Sequence, residues 1–422
     1  MGKSSKLQTG TVILPQGSNV TRMKILYDLL INSSMDGNLT DVQKWINQGA
    51  TNVNVDIHFE GGVATLTPLV ATLMGKFLNK NDQNEDFFKV FKLLIENDAD
   101  VDKTVWMDEE KKFHPPISLA IRYGYYEFVE YLIEKGAKLD FRYRDNTNIL
   151  FIAVSKNRLE IAKLILGHKQ IRSKINIKGK QSGLSVLHIA VSKNYVEMAK
   201  LLIDHGANVN STGPYSSESI LHTACWNDIC NLELVEVLVK NGANLECKSH
   251  FKNDNGEVLD GFTPLFIAVK KKNVLLAKFL LEHGANVKAK LKSKKEMWYT
   301  TTPLHFLLLD LQTENIAAFL ILKLLIKHGA DIETPDSQFW YTPLHFMSGV
   351  GYIDGTKLLL RLGANMRALD KTGRTPFELA LEKGHLEVVQ IMIDTGYDAQ
   401  CPSSHNSESH KIAPKYTKII LK

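Results

Sequence analysis

Thr342-Pro343-Leu344-His345 opens a stretch that ends on Leu358-Leu359 and, a few residues later, Gly363-Ala364. Each end has a local physical cause. A Thr hydroxyl caps a helix N-terminus, and Pro suits the first helical position because its missing N–H would be unpaired there anyway. The Leu that follows buries one face. The second phrase closes a second helix, because Gly just past a helix end takes the left-handed backbone that stops it. In a sister copy, the extended segment Asn208-Val209-Asn210 then leads into a hairpin loop. One unit therefore reads as helix, turn, helix, hairpin.

Both phrases recur. The first returns as Thr67-Pro68-Leu69, Ser185-Val186-Leu187-His188-Ile189-Ala190 and Ser219-Ile220-Leu221-His222-Thr223-Ala224. It appears again at Thr263-Pro264-Leu265, Thr302-Pro303-Leu304-His305 and Thr375-Pro376-Phe377, with weaker copies from Pro115 and Asn148. Its Ala is small enough to let two helices approach. Gly329, Gly363 and Gly396 are 34 and then 33 residues apart. In phrase and period the chain resembles the ankyrin repeat family. The resemblance runs from about Arg22 to Pro402 and gives about ten units. It implies an all-α fold, an ankyrin-repeat solenoid of stacked helix-turn-helix units with β-hairpin fingers. Residues 1–21 are expected to be disordered, 22–402 to form the array, and 403–422 to be a polar linker and short tail. Two units depart from the pattern. Asp98 stands where Gly is expected, and the fourth unit has Gly167-His168 for Gly-Ala and Asn148-Ile149-Leu150-Phe151 for the opening phrase. Stacking irregularities are expected there.

Of 422 residues, 44% are hydrophobic and 23% charged, ordinary usage for a chain with a large core. The net charge of +5 is too small to argue for nucleic acid. Cys225, Cys230, Cys247 and Cys401 do not make a disulfide scaffold, so reduced thiols in the cytoplasm, or the nucleus, are expected. Met1 to Lys6 lacks a signal-peptide apolar stretch, and Lys6 replaces the Ser/Thr of a myristoylation site. The densest apolar segment, Ile316 to Ile326, is interrupted by Lys323 and too short to span a bilayer. No membrane contact is expected.

Extra residues fall mostly in the fingers, at 102–114, 246–261 and 288–301, with others at 74–86 between two helices and at 308–315. Loops lengthen at little entropic cost, so drift is one reading. Contact with a partner, as fingers make in the ankyrin family, is the other.

The resemblance implies that a partner meets the fingers and the exposed side of the first helices. Carried onto this chain, those helix positions include Arg122, Tyr123, Lys156, Lys193, Trp226, Lys270 and Lys271. The surface so traced is basic with interleaved aromatics. It reads as a plain solvated face, as a dock for an acidic protein segment with Trp226 as anchor, or as a nucleic-acid face, which would want a more basic domain. Among finger aromatics, Trp106 and Trp298 lie in inserted sequence and are hot-spot candidates. Trp340 is a further candidate that would otherwise pack, like Tyr341, on the neighbouring hairpin.

His188, His222, His305 and His345 recur in one slot, which marks them as structural. His222, Cys225 and Cys230 are close in sequence, but no second ligand pair of metal spacing follows. Gly2-Lys3-Ser4 and Gly179-Lys180 lack the upstream glycine of a phosphate loop, and there is no nucleophile elbow. No metal, cofactor or enzymatic activity is expected. Asn210 matches the hairpin asparagine that is hydroxylated in some ankyrin proteins, or is a plain turn residue. The expected function is a monomeric, non-enzymatic scaffold or adaptor that binds a partner protein through its fingers and concave helix face. The alternatives are an inhibitor that masks a regulator, or a host-directed effector of a parasite, symbiont or virus.

Overall fold

The computed structural model describes residues 11–12, 20–50, 52–55, 57–58, 65–79, 86–107, 112–214, 218–227, 230–252, 258–293, 301–309 and 315–397. The chain divides into two compact units, Met1–Ala190 with Glu197–Ala207, and Val191–Val196 with Asn208–Lys422. Both have the expected class, helix pairs joined by fingers.

In the first unit the pairs are Val20–Met35 with Leu39–Asn47, Pro68–Leu78 with Asp86–Glu96, Pro116–Tyr123 with Tyr126–Glu134, and Ile149–Ser155 with Leu159–Leu166. The division falls inside the next pair, Val186–Ser192 and Val196–Asp204. The second unit holds Ile220–Trp226 with Leu232–Lys240, Pro264–Lys270 with Val274–Glu282, Pro303–Leu309 with Ile316–Lys327, Pro343–Val350 with Ile353–Arg361, and Pro376–Glu382 with Leu386–Asp394. Within each unit, first helices pack on first helices of the next pair. The Ala slot is closed: Ala120, Ala153, Ala268 and Ala380 are fully buried, as is Thr72, which stands in that slot in the second pair.

Most of the caps form as the sequence implies, but the Thr263 hydroxyl makes no cap bond. Thr67 Oγ1 accepts from Val70 N at 3.3 Å. In the irregular fourth pair Asn148 Oδ1 does the same work, accepting from Leu150 N at 3.0 Å and Phe151 N at 3.3 Å. The recurrent histidine completes the cap. Ser219 N donates to His222 Nδ1 at 3.2 Å and Thr342 N to His345 Nδ1 at 3.2 Å. In the last pair Glu378 Oε2 takes that place, accepting from Thr375 N at 2.8 Å. The histidine is thus a capping-box acceptor standing in for the usual Glu or Gln.

Asp98 needs correction as an irregular site. It adopts φ +67°, and the bonds Asp98 N to Ile95 O and Ala99 N to Leu94 O repeat those around Gly206. Gly167 is irregular: its backbone stays right-handed, and the chain runs on into an extra helix, Lys169–Arg172. The insertion at 74–86 is not wholly a loop, because Pro68–Leu78 continues through its first residues.

The long fingers are built as strands. Val105–Met107 pairs with Lys112–His114. Ser249–Lys252 pairs with Val258–Phe262, which pairs in turn with Lys292–Ser293. Leu259, Phe262 and Leu291 are fully buried, so this inserted sequence carries its own apolar core. Thr11–Val12, inside the segment expected to lack order, pairs with Ile57–His58.

Candidate protein-binding surface

In the first unit, Trp106 stands opposite Phe113 across its finger, and the rings meet edge to face at 4.9 Å. Trp106 is half-buried and has a structural partner, contrary to its reading as an unexplained insertion. In the next finger Phe141 meets Tyr143 edge to face at 5.0 Å. The two fingers are tied by polar contacts. His114 Nδ1 lies 2.9 Å from the Tyr143 hydroxyl. Lys112 Nζ sits 5.3 Å over the Tyr143 ring and 2.7 Å from Asp145 Oδ2. Burial opposes ionisation of Asp145, but hydrogen bonds from Lys112 and Thr147 outweigh it and hold the carboxyl below its usual range. Burial pushes the Tyr143 phenol up to about 12 and His114 down to about 4. Trp106, Phe113, Phe141 and Tyr143, with Lys112, Asp145, Arg142, Arg144 and Gln181, line a cleft of about 500 Å³.

Sequence reasoning missed this cleft. Its signal was the alternation Phe141-Arg142-Tyr143-Arg144 in a finger of ordinary length. Nothing local says that this finger faces Trp106 and Phe113.

On the helices of this unit, Arg122 and Tyr123 are half-buried, not exposed. The Tyr123 ring stacks on Phe77 at 4.4 Å. Arg158 donates to the Arg122 carbonyl at 3.0 Å and the Tyr123 carbonyl at 2.9 Å, so it satisfies the end of Pro116–Tyr123. Lys156 is exposed.

In the second unit, Lys193 is exposed and Lys270 half-buried. Trp226 is half-buried, parallel to Phe262 at 6.1 Å. Lys271 Nζ donates to the Trp226 carbonyl at 3.0 Å and the Asn227 carbonyl at 2.6 Å. The structure therefore brings Trp226 and Lys271 together, but as the packed and capped end of a helix rather than as a free anchor and a free cation. Trp298 lies outside the described residues.

Trp340 is 54% exposed and adopts φ +60°. A non-glycine residue there is uncommon and must be held. Asp336 holds it: Oδ1 accepts from Phe339 N at 3.2 Å and Tyr341 N at 2.6 Å. Tyr341 does pack inward, accepting from Arg374 Nη2 at 3.0 Å. Asn210 is exposed, yet both ends of its amide are used. Nδ2 donates to the Gly242 carbonyl at 2.9 Å, and Oδ1 accepts from Asn244 N at 2.8 Å. Asn54 makes the same bridge to Asp98 O and Asp100 N in the first unit.

The remaining chemistry is spent on the frame. Burial raises the Cys225 thiol well above its ordinary value, raises Cys230, and pushes Cys247 up to about 11. Among the described residues no three His, Cys, Asp or Glu side chains are grouped to hold a metal ion. Among them also, no helix is long and apolar enough to cross a membrane.

Comparison with known proteins agrees with the fold. An ankyrin-repeats family profile matches residues 81–179, 150–249 and 313–402, more than half of the chain, and a single-ankyrin-repeat profile matches 260–291. Cyclin-dependent kinase inhibitor 2A of Monodelphis domestica is 37% identical over 76 residues, 18% of this chain and 44% of that protein. Human protein phosphatase 1 regulatory subunit 27 is 38% identical over 76 residues, 18% of this chain and 48% of that protein. An ankyrin repeat protein of fowlpox virus is 28% identical over 167 residues, 39% of this chain and 46% of that protein. The chain spans less than half the length of these three relatives. Among solved structures, the ankyrin repeat domain of Bcl-3 is similar with TM-score 0.44 and 17% identity, covering 71% of this chain and 97% of that one. By repeat phrase, helix pairing and family match, the chain belongs to the ankyrin repeat family.

Proposed function

We propose that this chain is a non-enzymatic scaffold that binds a partner protein through its fingers and the exposed ends of its first helices. Ankyrin repeats are protein–protein interaction modules, and the polar groups of this array are used in caps and bridges rather than in a reactive constellation. The observation that carries the reading is exposed aromatic surface on rigid fingers. Phe113 is 49%, Phe339 46% and Trp340 54% exposed, and none of the three is needed to close the core. Large aromatics held before binding lose little entropy on contact and are favoured as interface anchors. Lys156 and Lys193 add positive charge, so a partner with an acidic segment suits the reading. The protein works as a cytoplasmic monomer in this proposal.

A second reading is a regulator that acts by occupying its target. Two of the relatives are named as a kinase inhibitor and a phosphatase regulatory subunit, which favours it.

The test is affinity capture with quantitative mass spectrometry on the wild type, on Phe339→Ala/Trp340→Ala and on Lys156→Glu/Lys193→Glu. Proteins held by the wild type and depleted by either variant support the reading. If the wild type holds nothing above a blank surface, or all three hold the same proteins equally, it fails.

A further inference from the structure

We infer that the cleft between the fingers at Val105–His114 and Phe141–Thr147 is a peptide-binding site. Its occupant is an extended peptide that inserts one large apolar side chain beside one or two carboxylates. This deepens the protein-binding reading and rests on it.

The shape argues first. Trp106 and Phe113 form one wall, and Phe141 and Tyr143 another. A volume of about 500 Å³ takes a few side chains, not a folded domain. About half of Phe113 is exposed although it lies on a paired strand, so an apolar side chain entering the cleft would cover surface that the fold leaves wet.

Charge then selects the occupant. Among the described residues of the lining, Asp145 is the only acidic one, and Lys112 neutralises it at 2.7 Å. Arg142 and Arg144 remain. Arg142 has one long contact, 3.4 Å from Nη1 to Asn146 Oδ1, and Arg144 has no ion pair among the described residues. Both are exposed at the mouth of an apolar slot. A guanidinium so placed binds a carboxylate in a bidentate fork, and two of them match one or two carboxylates near the inserted side chain.

The walls are also pre-set. The His114–Tyr143 contact and the Lys112 bridge to Asp145 fix one finger against the other before any ligand arrives. Binding therefore orders little of the protein. Aromatics beside arginines also suit a single nucleic-acid strand.

The experiment pans a random-peptide phage library on the full-length chain. Enriched sequences are then made as fluorescein-labelled peptides, and their anisotropy is titrated against the wild type, Arg142→Glu/Arg144→Glu and Trp106→Ala. Circular dichroism melts confirm that each variant is folded; both arginines are exposed, so the charge reversal leaves the core untouched. The expected result is peptides that share a large apolar residue close to Asp or Glu. Their affinity should fall about tenfold or more in each variant, and it should weaken with added salt. Peptides without acidic residues, equal affinity for the charge-reversed variant, or no enrichment over a blank surface would overturn the proposal. So would an oligothymidylate that binds more tightly than any enriched peptide and depends on the same three residues. Loss of this proposal leaves the capture experiment on Phe339 and Trp340 unaffected, so the two readings fail separately.

Discussion

Gly75 packs directly against the backbone of Met35: a Cβ placed on it would lie 1.9 Å from the Met35 carbonyl oxygen. The first helices of the first two pairs touch here with no side chain between them. Met347 and Gly355 show the opposite solution. Met347 occupies the slot that is Ala in most copies, and a Cβ on Gly355 would meet its sulfur at 2.5 Å.

Gly75→Ala should therefore be severe. Alanine gains roughly 1 kcal/mol of helix propensity over glycine. Overpacking against a backbone that has no rotamer to escape into costs about 3 kcal/mol or more. Gly355→Ala should cost less, about 1 to 2 kcal/mol: the buried Met347 side chain and the Tyr352 ring, 2.9 Å from the new Cβ, must both give way, but they are side chains and not backbone. Urea midpoints of the two variants measure the contrast. Equal losses would mean that the helices slide apart easily at Gly75.

Asp98→Gly should stabilise the first unit. Asp98 holds φ +67°, where a Cβ costs about 1 to 2 kcal/mol. Glycine removes that strain and gives back roughly half of it as unfolded-state entropy. The bond from Asn54 Nδ2 goes to the Asp98 carbonyl and survives the change. A gain of about 0.5 to 1 kcal/mol in chemical denaturation is expected, and a loss would show that the aspartate side chain has a role that the backbone geometry hides.

Asn210→Ala should cost about 1 kcal/mol. It removes both the donor to the Gly242 carbonyl and the acceptor of Asn244 N, while water reaches the exposed groups left behind. Amide hydrogen exchange at Asn244 reads the effect directly and should speed up. Unchanged exchange would mean that the bridge does not persist in solution.

Stability should fall as the pH drops below about 6.5, the value of histidine in an unfolded chain. Burial lowers the values of His222, His305 and His345, and holds His114 down near 4. The Nε2 atoms of His222, His305 and His345 face the carbonyls of Phe262, Thr334 and Arg374, so Nε2 carries the proton and Nδ1 accepts. Protonating Nδ1 of His222 or His345 would set an N–H against the N–H that it caps. The unfolded chain binds protons that the fold refuses, so the stabilisation is full above pH 6.5 and fades below it, for His114 down to about pH 4. His345→Gln, whose amide oxygen can still cap Thr342 N, should flatten part of this decline. A urea midpoint constant from pH 7 to pH 5 would refute the scheme.

The sequence by itself determined the frame. Thr-Pro caps, the histidine or glutamate three residues on, and the closing glycines act within one turn of helix, so Thr342, His345, Thr375 and Glu378 are readable without knowing what lies across from them. The family follows from the same local signals. Tertiary structure alone decided the rest, because it depends on residues far apart in the chain. It turned Lys271 from a free cation into the cap for the carbonyls of Trp226 and Asn227. It gave Trp106 a partner in Phe113 and set both beside Phe141 and Tyr143. It also made Gly75 irreplaceable through Met35. A repeat writes its own fold into every copy, but a binding cleft belongs to two copies at once, and no single copy carries the signal for it.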